Sequence, residues 1–385
     1  MKIEEYLYAT RITRHYPPSE EKIDNAKYRM DLIRQTVDIN QKNYSVFFIE
    51  SLNKKAEIVP NHGNNSIILD GCLQEAFIML QAILKHTDSV QQTVVPFSQI
   101  LRDQALLTGN ISALFETECA IEDFSKNSID SQWLKNDLEL LFLQDMFVLL
   151  HELGHVLAKE KSSFLIHARE VGEMIVDISV DNYNKNFDSD RAKEEYIDRY
   201  GDAQDWDRII KSQDKHIRQL KENRSHLSDE VGYDQFALTG LLSICKRIGL
   251  PRSHALFSSF IALRNIRTIN YLKASLNSGK EMFGMNSRVK LLQYRQHLLR
   301  DIYRCQVSDD YETASAQLSD LSDEYDKKID NPLIFDFLPH FQSNVLKLKN
   351  DVQQFDLFDR LQIVSDKRAE QGWFKSTGNA HFVKL

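Results

Sequence analysis

The 385-residue chain has only four cysteines, Cys72, Cys119, Cys245 and Cys305, and no two of them form a C-x-x-C pair. That spacing argues against a thiolate zinc site and against a disulfide framework. A positive excess is also missing, since 48 Lys and Arg against 56 Asp and Glu leave a net charge of -8. Recognition of nucleic acid through phosphates calls for a basic face, so no nucleic-acid partner is expected. The first stretch, MKIEEYLYATRITRHYPP, is too polar for a secretory signal. Long apolar runs are absent too. The most apolar stretch, Leu138–Leu157, is interrupted by Glu139, Gln144, Asp145, His151 and Glu152, and reads as a poor membrane span. A reducing, cytoplasmic location is the resulting expectation. Proline is scarce, with none between Pro96 and Pro251, and the chain has no internal repeat or low-complexity segment.

What is present describes an ordinary globular protein, 42% hydrophobic and 27% charged. The pattern predicts an α+β chain, mostly α-helical. An N-terminal segment, 1–43, carries one helix over Ser19–Asn40, packed on the outside. Tyr44–Glu50 (YSVFFIE), Ala56–Val59 and Ser66–Leu69 (SIIL) read as short strands, with a turn at Asn61-His62-Gly63-Asn64-Asn65. They predict a small antiparallel sheet whose edge is open to an extended peptide. Leu73–His86 has helical period with apolar residues over more than half its circumference, as a core helix does. Asp137–Lys159 is apolar nearly all round. The region 184–226 is dense in charge and reads as solvent-exposed helices, an insertion within a middle region that spans 44–250. Leu227–Ile248 regains apolar period and stops at Gly249 and Pro251. The remainder, 251–385, reads as mostly helical, interrupted at Pro332 and Pro339, with little pattern after Gly372.

The stretch Met146–Lys159, MFVLLHELGHVLAK, sets His151, Glu152 and His155 in an apolar helix. Residues four apart share a helix face, so both imidazoles can reach one ion. Glu152 stands one step round, near enough to hold a water. Unpaired polar groups on a buried helix would cost roughly 1–3 kcal/mol each, and a metal removes that cost. Gly154 allows another backbone to approach. A third ligand is still needed. A His at the metzincin spacing would require Gly at 158 and His at 161, where the chain has Ala158 and Lys161. Two later segments offer Glu-x-x-x-Asp instead, Glu173 with Asp177 and Glu230 with Asp234. In each, the Asp one turn on could hold a ligand imidazole by its other nitrogen. Glu173 also belongs to an acidic stripe with Glu170, Asp177 and Asp181.

HELGH followed by Glu230, Asp234 and Ala237 resembles the gluzincin group of zinc metallopeptidases, whose third-ligand helix reads Glu-x-x-Ala-Asp-x-x-Ala. Tyr233 stands where that pattern has a small residue. The resemblance covers two helices. It implies a zincin-like core in 44–250 and a zinc ion on His151, His155 and Glu230. It also implies Asp234 as an orienting partner, Glu152 as general base, and a protein or peptide substrate. His226, Tyr233, His254 and Tyr271 are candidate donors to a developing oxyanion. His62, His86, His167, His297 and His340 read as isolated. Two other readings stay open. One is a regulatory or sensing protein on the same scaffold, acting on one dedicated partner, as in bacterial host defence or phage exclusion. The other is a helical structural protein with a chance motif. Oligomeric state has no signature in the pattern.

Overall fold

An uninterrupted apolar run can be buried on both faces only in the middle of a sheet, and SIIL takes that place. The computed structural model describes residues 18–37, 44–61, 64–124, 138–187, 193–194, 197, 203–276, 280–307, 309–351 and 382–384. Strands β1 (Tyr44–Ile49), β2 (Glu57–Asn61), β3 (Asn64–Asp70) and β4 (Phe382–Lys384) form a sheet of order β2-β3-β1-β4. Ile67 and Leu69 of β3 enter the main core, while Ile68 packs with Phe47, Ile49 and Val59 on the opposite face. The three expected strands are present, but the sheet is mixed rather than antiparallel. β2 and β3 form a hairpin closed at Asn61 and Asn64, and β3 then inserts beside β1 in parallel. β2 is left at an edge, where Pro60, which has no N–H, is tolerated. β4, in a tail with little sequence pattern, pairs antiparallel with β1.

The helices are α1 (Glu20–Thr36), α2 (Gly71–His86), α3 (Gln91–Thr108), α4 (Ile111–Phe124), α5 (Leu138–Glu160) and α6 (Ser162–Phe187). They continue as α7 (Ala203–Glu222), α8 (Arg224–Ile248), α9 (Arg252–Ser275), α10 (Lys280–Gln306), α11 (Tyr311–Tyr325) and α12 (Leu338–Asp351). The expected mostly helical α+β class holds. Ser19 caps α1 and Asp70 caps α2, each accepting from a backbone N–H two or three residues on. Gly249 ends α8 in the left-handed region, at φ 78°.

α5 is the hub. By length and composition it could cross a membrane, but 72% of its most apolar window is buried within the protein. Each fully buried Leu or Phe on it contributes about 1.5–3 kcal/mol. Two polar residues in its first turns are satisfied by neighbouring helices. Gln144 bonds to Gln81 of α2 (3.2 Å) and Asn265 of α9 (3.0 Å), and Asp145 pairs with Arg29 of α1 (3.0 Å). α1 is therefore not merely external, since Met30 and Ile33 are fully buried. One core cluster runs from Ala26 to Val345, across the sequence boundaries at 43 and 250.

Two further expectations change. The charged stretch 184–226 is not wholly solvated, because α7 buries Trp206 and Leu220. Pro332 and Pro339 do not break the C-terminal helix. The chain passes from α11 through π-helical turns at Asp326–Asp330 and Pro332–Phe337 into α12. The wider π turn makes room for a proline ring that an α-turn would drive into the preceding carbonyl.

Candidate metal centre

His151 and His155 lie one turn apart on α5, and their Nε2 atoms are 3.2 Å from each other. Glu230, in the second turn of α8, turns Oε2 to His151 Nε2 at 3.4 Å and Oε1 to His155 Nε2 at 3.5 Å. Tetrahedral zinc with ligand bonds of about 2.0–2.1 Å sets its donor atoms about 3.3–3.4 Å apart. The measured separations fall around that length, so the two imidazoles and one carboxylate fit a single zinc ion. Among the described residues this is the one group with metal-binding spacing. Glu173 is not brought to it. Its side chain is 43% exposed and faces Arg224 at 3.5 Å, which also pairs with Asp177. The acidic stripe of α6 is a solvated face.

Two glycines let α8 bring Glu230 in. A Cβ on Gly172 would lie 1.9 Å from the Ser228 carbonyl oxygen, and one on Gly232 would lie 2.1 Å from that of Ala168. α6 and α8 therefore cross backbone to backbone, at Ala168/Gly172 on one helix and Ser228/Gly232 on the other. Gly154 plays a different part from the one expected. A Cβ there would meet Tyr233 Cβ at 3.2 Å and Phe236 Cδ1 at 3.5 Å, so it admits side chains rather than a backbone. That space accommodates Tyr233, the departure from the gluzincin pattern, whose ring packs on His155 with centroids 4.2 Å apart.

Asp234, one turn after Glu230 and fully buried, accepts from His151 Nδ1 at 2.9 Å. This fixes Nδ1 as a donor, so Nε2, which faces the cluster, is the nitrogen that would ligate a metal once its proton is displaced. Arg295 of α10 was not foreseen from the sequence. Its Nε and Nη2 donate to the two oxygens of Asp234 at 2.7 and 2.6 Å, and Nη1 donates to Glu230 Oε2 at 2.9 Å. A buried Asp and a nearly buried Glu side by side require a cation, and a guanidinium fork suits both.

The electrostatics follow from this packing. Burial and the Arg295 charge press the His151 pKa down, but hydrogen bonds to Asp234 and Glu230 outweigh them and raise it to about 9. His155 moves the other way. Burial, then the His151 charge, lower it to about 4, and Lys159 adds to the effect. Burial pushes Glu230 up, yet Arg295 and the imidazoles hold it below the ordinary carboxylate range. Asp234, also buried, is held low by Arg295 and His151. Glu230 and His155 thus stand in the protonation states of metal ligands, and a metal would displace the proton held by His151.

The cluster opens into a cleft of about 1060 Å³, lined by α5, α9, α10, the end of α3 and residues 53–58 at the start of β2. Glu152 lines it beside His151, and burial raises its pKa above the ordinary value. His226, His254 and Tyr271 are not among the lining residues. Tyr233 packs beneath His155. His297, expected to be isolated, lies against His216 with ring centroids 5.3 Å apart, outside this cleft. If Asp234 orients His151, Asp234→Asn weakens zinc binding about 10–100-fold. Competition with a chromophoric chelator measures this, and an unchanged affinity would remove Asp234 from that role. No family model matches the chain, and no curated protein and no solved structure matches it.

Proposed function

We propose that the chain is a zinc-dependent peptide hydrolase in which His151, His155 and Glu230 hold the metal and Glu152 is the general base. The observation that supports this most is the convergence of two imidazole nitrogens and a carboxylate, 3.2–3.5 Å apart, on the wall of a cleft that also exposes a second carboxylate. A bound zinc ion would supply a Lewis acid that polarises a carbonyl and acidifies a water. The rest falls to side chains of this chain. Glu152, beside His151 on the cleft wall, takes a proton from water and passes it to the leaving amine. Asp234 holds the His151 ring in its tautomer, and Arg295 fixes Asp234 and Glu230. Tyr233 covers one side of His155.

The cleft suits an extended chain rather than a folded domain. β2 is an edge strand, and its first residues, with the loop before it, form one wall. A peptide can pair with such an edge through backbone hydrogen bonds. That wall is held firmly. Asp70 accepts from the backbone N–H of Ser51 (3.0 Å) and Lys55 (3.3 Å), Lys54 pairs with Asp103, and Lys273 donates to the Asn53 carbonyl at 2.6 Å. α9 and α10 form the facing wall, which favours a narrow range of substrates.

The test is hydrolysis of unstructured peptides by the purified chain. Cleavage should stop when a chelator strips the metal and return on addition of stoichiometric zinc. Zinc-loaded protein that leaves a mixed-sequence peptide library intact would contradict the reading.

A further inference from the structure

We propose that the cleft selects peptides with acidic side chains about two to three residues from the bond cleaved, a specificity that rests on the hydrolase reading. The chain carries a net charge of -8, yet six cations, Lys54, Lys55, Lys159, Lys273, Arg288 and Arg295, line this cleft against three carboxylates, Glu57, Glu152 and Glu230. Several of these charges are paired locally. Lys54 meets Asp103, Lys55 meets Glu57, and Arg295 serves Asp234 and Glu230. Lys273 is held by the carbonyls of Asn53 and Lys54.

Lys159 and Arg288 differ from the others. Both are exposed, both face the cleft, and among the described residues neither has a carboxylate within ion-pair distance. Lys159 stands four residues beyond His155 on α5, a rise of about 6 Å, and Arg288 seven residues before Arg295 on α10, about 10 Å. An extended peptide advances about 3.3 Å per residue, so these rises correspond to about two residues from His155 and about three from Arg295, the partner of Glu230. Phe147, Ile266 and Leu291 add apolar wall to the same cleft. Low-dielectric walls focus the field of the two cations into the cleft. Two cations in a chain of net negative charge do not make the continuous basic track that a nucleic-acid strand needs. An acidic peptide is the matching ligand.

The experiment measures binding without turnover, using the whole 385-residue chain as the zinc-supplemented Glu152→Gln variant and fluorescence anisotropy. Three labelled peptides share one apolar centre and carry Glu, Gln or Lys two and three residues to either side. The Glu peptide should bind about tenfold more tightly than the Lys peptide, less so at high salt. Adding Lys159→Glu and Arg288→Glu should reverse the order. Both positions are exposed, and an unchanged circular dichroism spectrum and zinc content report that the fold is kept. Equal binding of the three peptides, binding of none, or a preference that survives the double substitution would overturn the proposal. An oligonucleotide of matched charge binding as tightly as the Glu peptide would overturn it as well. Binding of the acidic peptide without hydrolysis by the zinc-loaded wild type would sink the hydrolase reading and leave the acid-binding cleft standing. Hydrolysis with equal kcat/KM for all three peptides would do the reverse.

Discussion

Glu152→Gln should leave zinc bound at wild-type stoichiometry and lower peptide hydrolysis by roughly 10²–10⁴-fold. Gln has the size and planar shape of Glu, so the cleft wall is kept and the three donor side chains are untouched. What is lost is the capacity to accept a proton. In the metal-free chain burial raises the Glu152 pKa above the ordinary carboxylate value. The two measurements are the zinc content of the variant and its kcat on a fluorogenic peptide. A rate within about threefold of wild type would assign the proton transfer elsewhere. Loss of zinc together with loss of rate would show that Glu152 shapes the site rather than acting in it.

A comparable effect, on stability, is expected at Arg295. Arg295→Met keeps much of the volume but removes the guanidinium between Asp234, 0% exposed, and Glu230, leaving protonated His151 as their remaining cation in the metal-free chain. Breaking a buried ion pair by deleting one partner costs about 3–5 kcal/mol, because the other charge is left uncompensated. The metal-free variant should show a loss of that order in denaturant unfolding. Zinc supplies positive charge beside Glu230, so it should raise the variant's Tm by more than it raises that of the wild type. A variant within about 1 kcal/mol of wild type, with the same zinc response, would mean that Arg295 is not the counter-charge.

How far the sequence foreshadows this site depends on how local each feature is. The helix spacing of His151 and His155 is a local property, and so is the Glu230–Asp234 step, which places the proposed ligand and its proposed orienting carboxylate one turn apart. Choosing between Glu230 and Glu173 was not local. It turned on the crossing of α6 and α8, whose signal lies in the small residues Ala168 and Gly172 on one helix and Ser228 and Gly232 on the other. Each pair is four apart, the spacing of a close helix contact. Tyr233 looks like a misfit against the gluzincin pattern until Gly154 is seen to give it room. Arg295 had no readable signal of its own, because it lies 61 residues beyond Asp234 on an ordinary polar helix. Only charge accounting, a buried Asp beside a ligand Glu, would have called for it.

The same distinction holds for the fold. Three of the four strands, and the limits of α2, α5 and the end of α8, were legible because period, turns and caps are written residue by residue. Strand order was not, although the two-sided apolar run of SIIL already favours a central strand. The helix across Pro332 was missed because the π turns that accommodate the ring leave no mark in hydrophobic period.

The most direct test is zinc per chain, measured by atomic spectroscopy on wild type, Glu230→Ala and Glu173→Ala purified side by side. A centre built on His151, His155 and Glu230 predicts about one zinc in wild type, about one in Glu173→Ala and a large loss in Glu230→Ala. No zinc in the wild type, or zinc fully retained by Glu230→Ala, would contradict it.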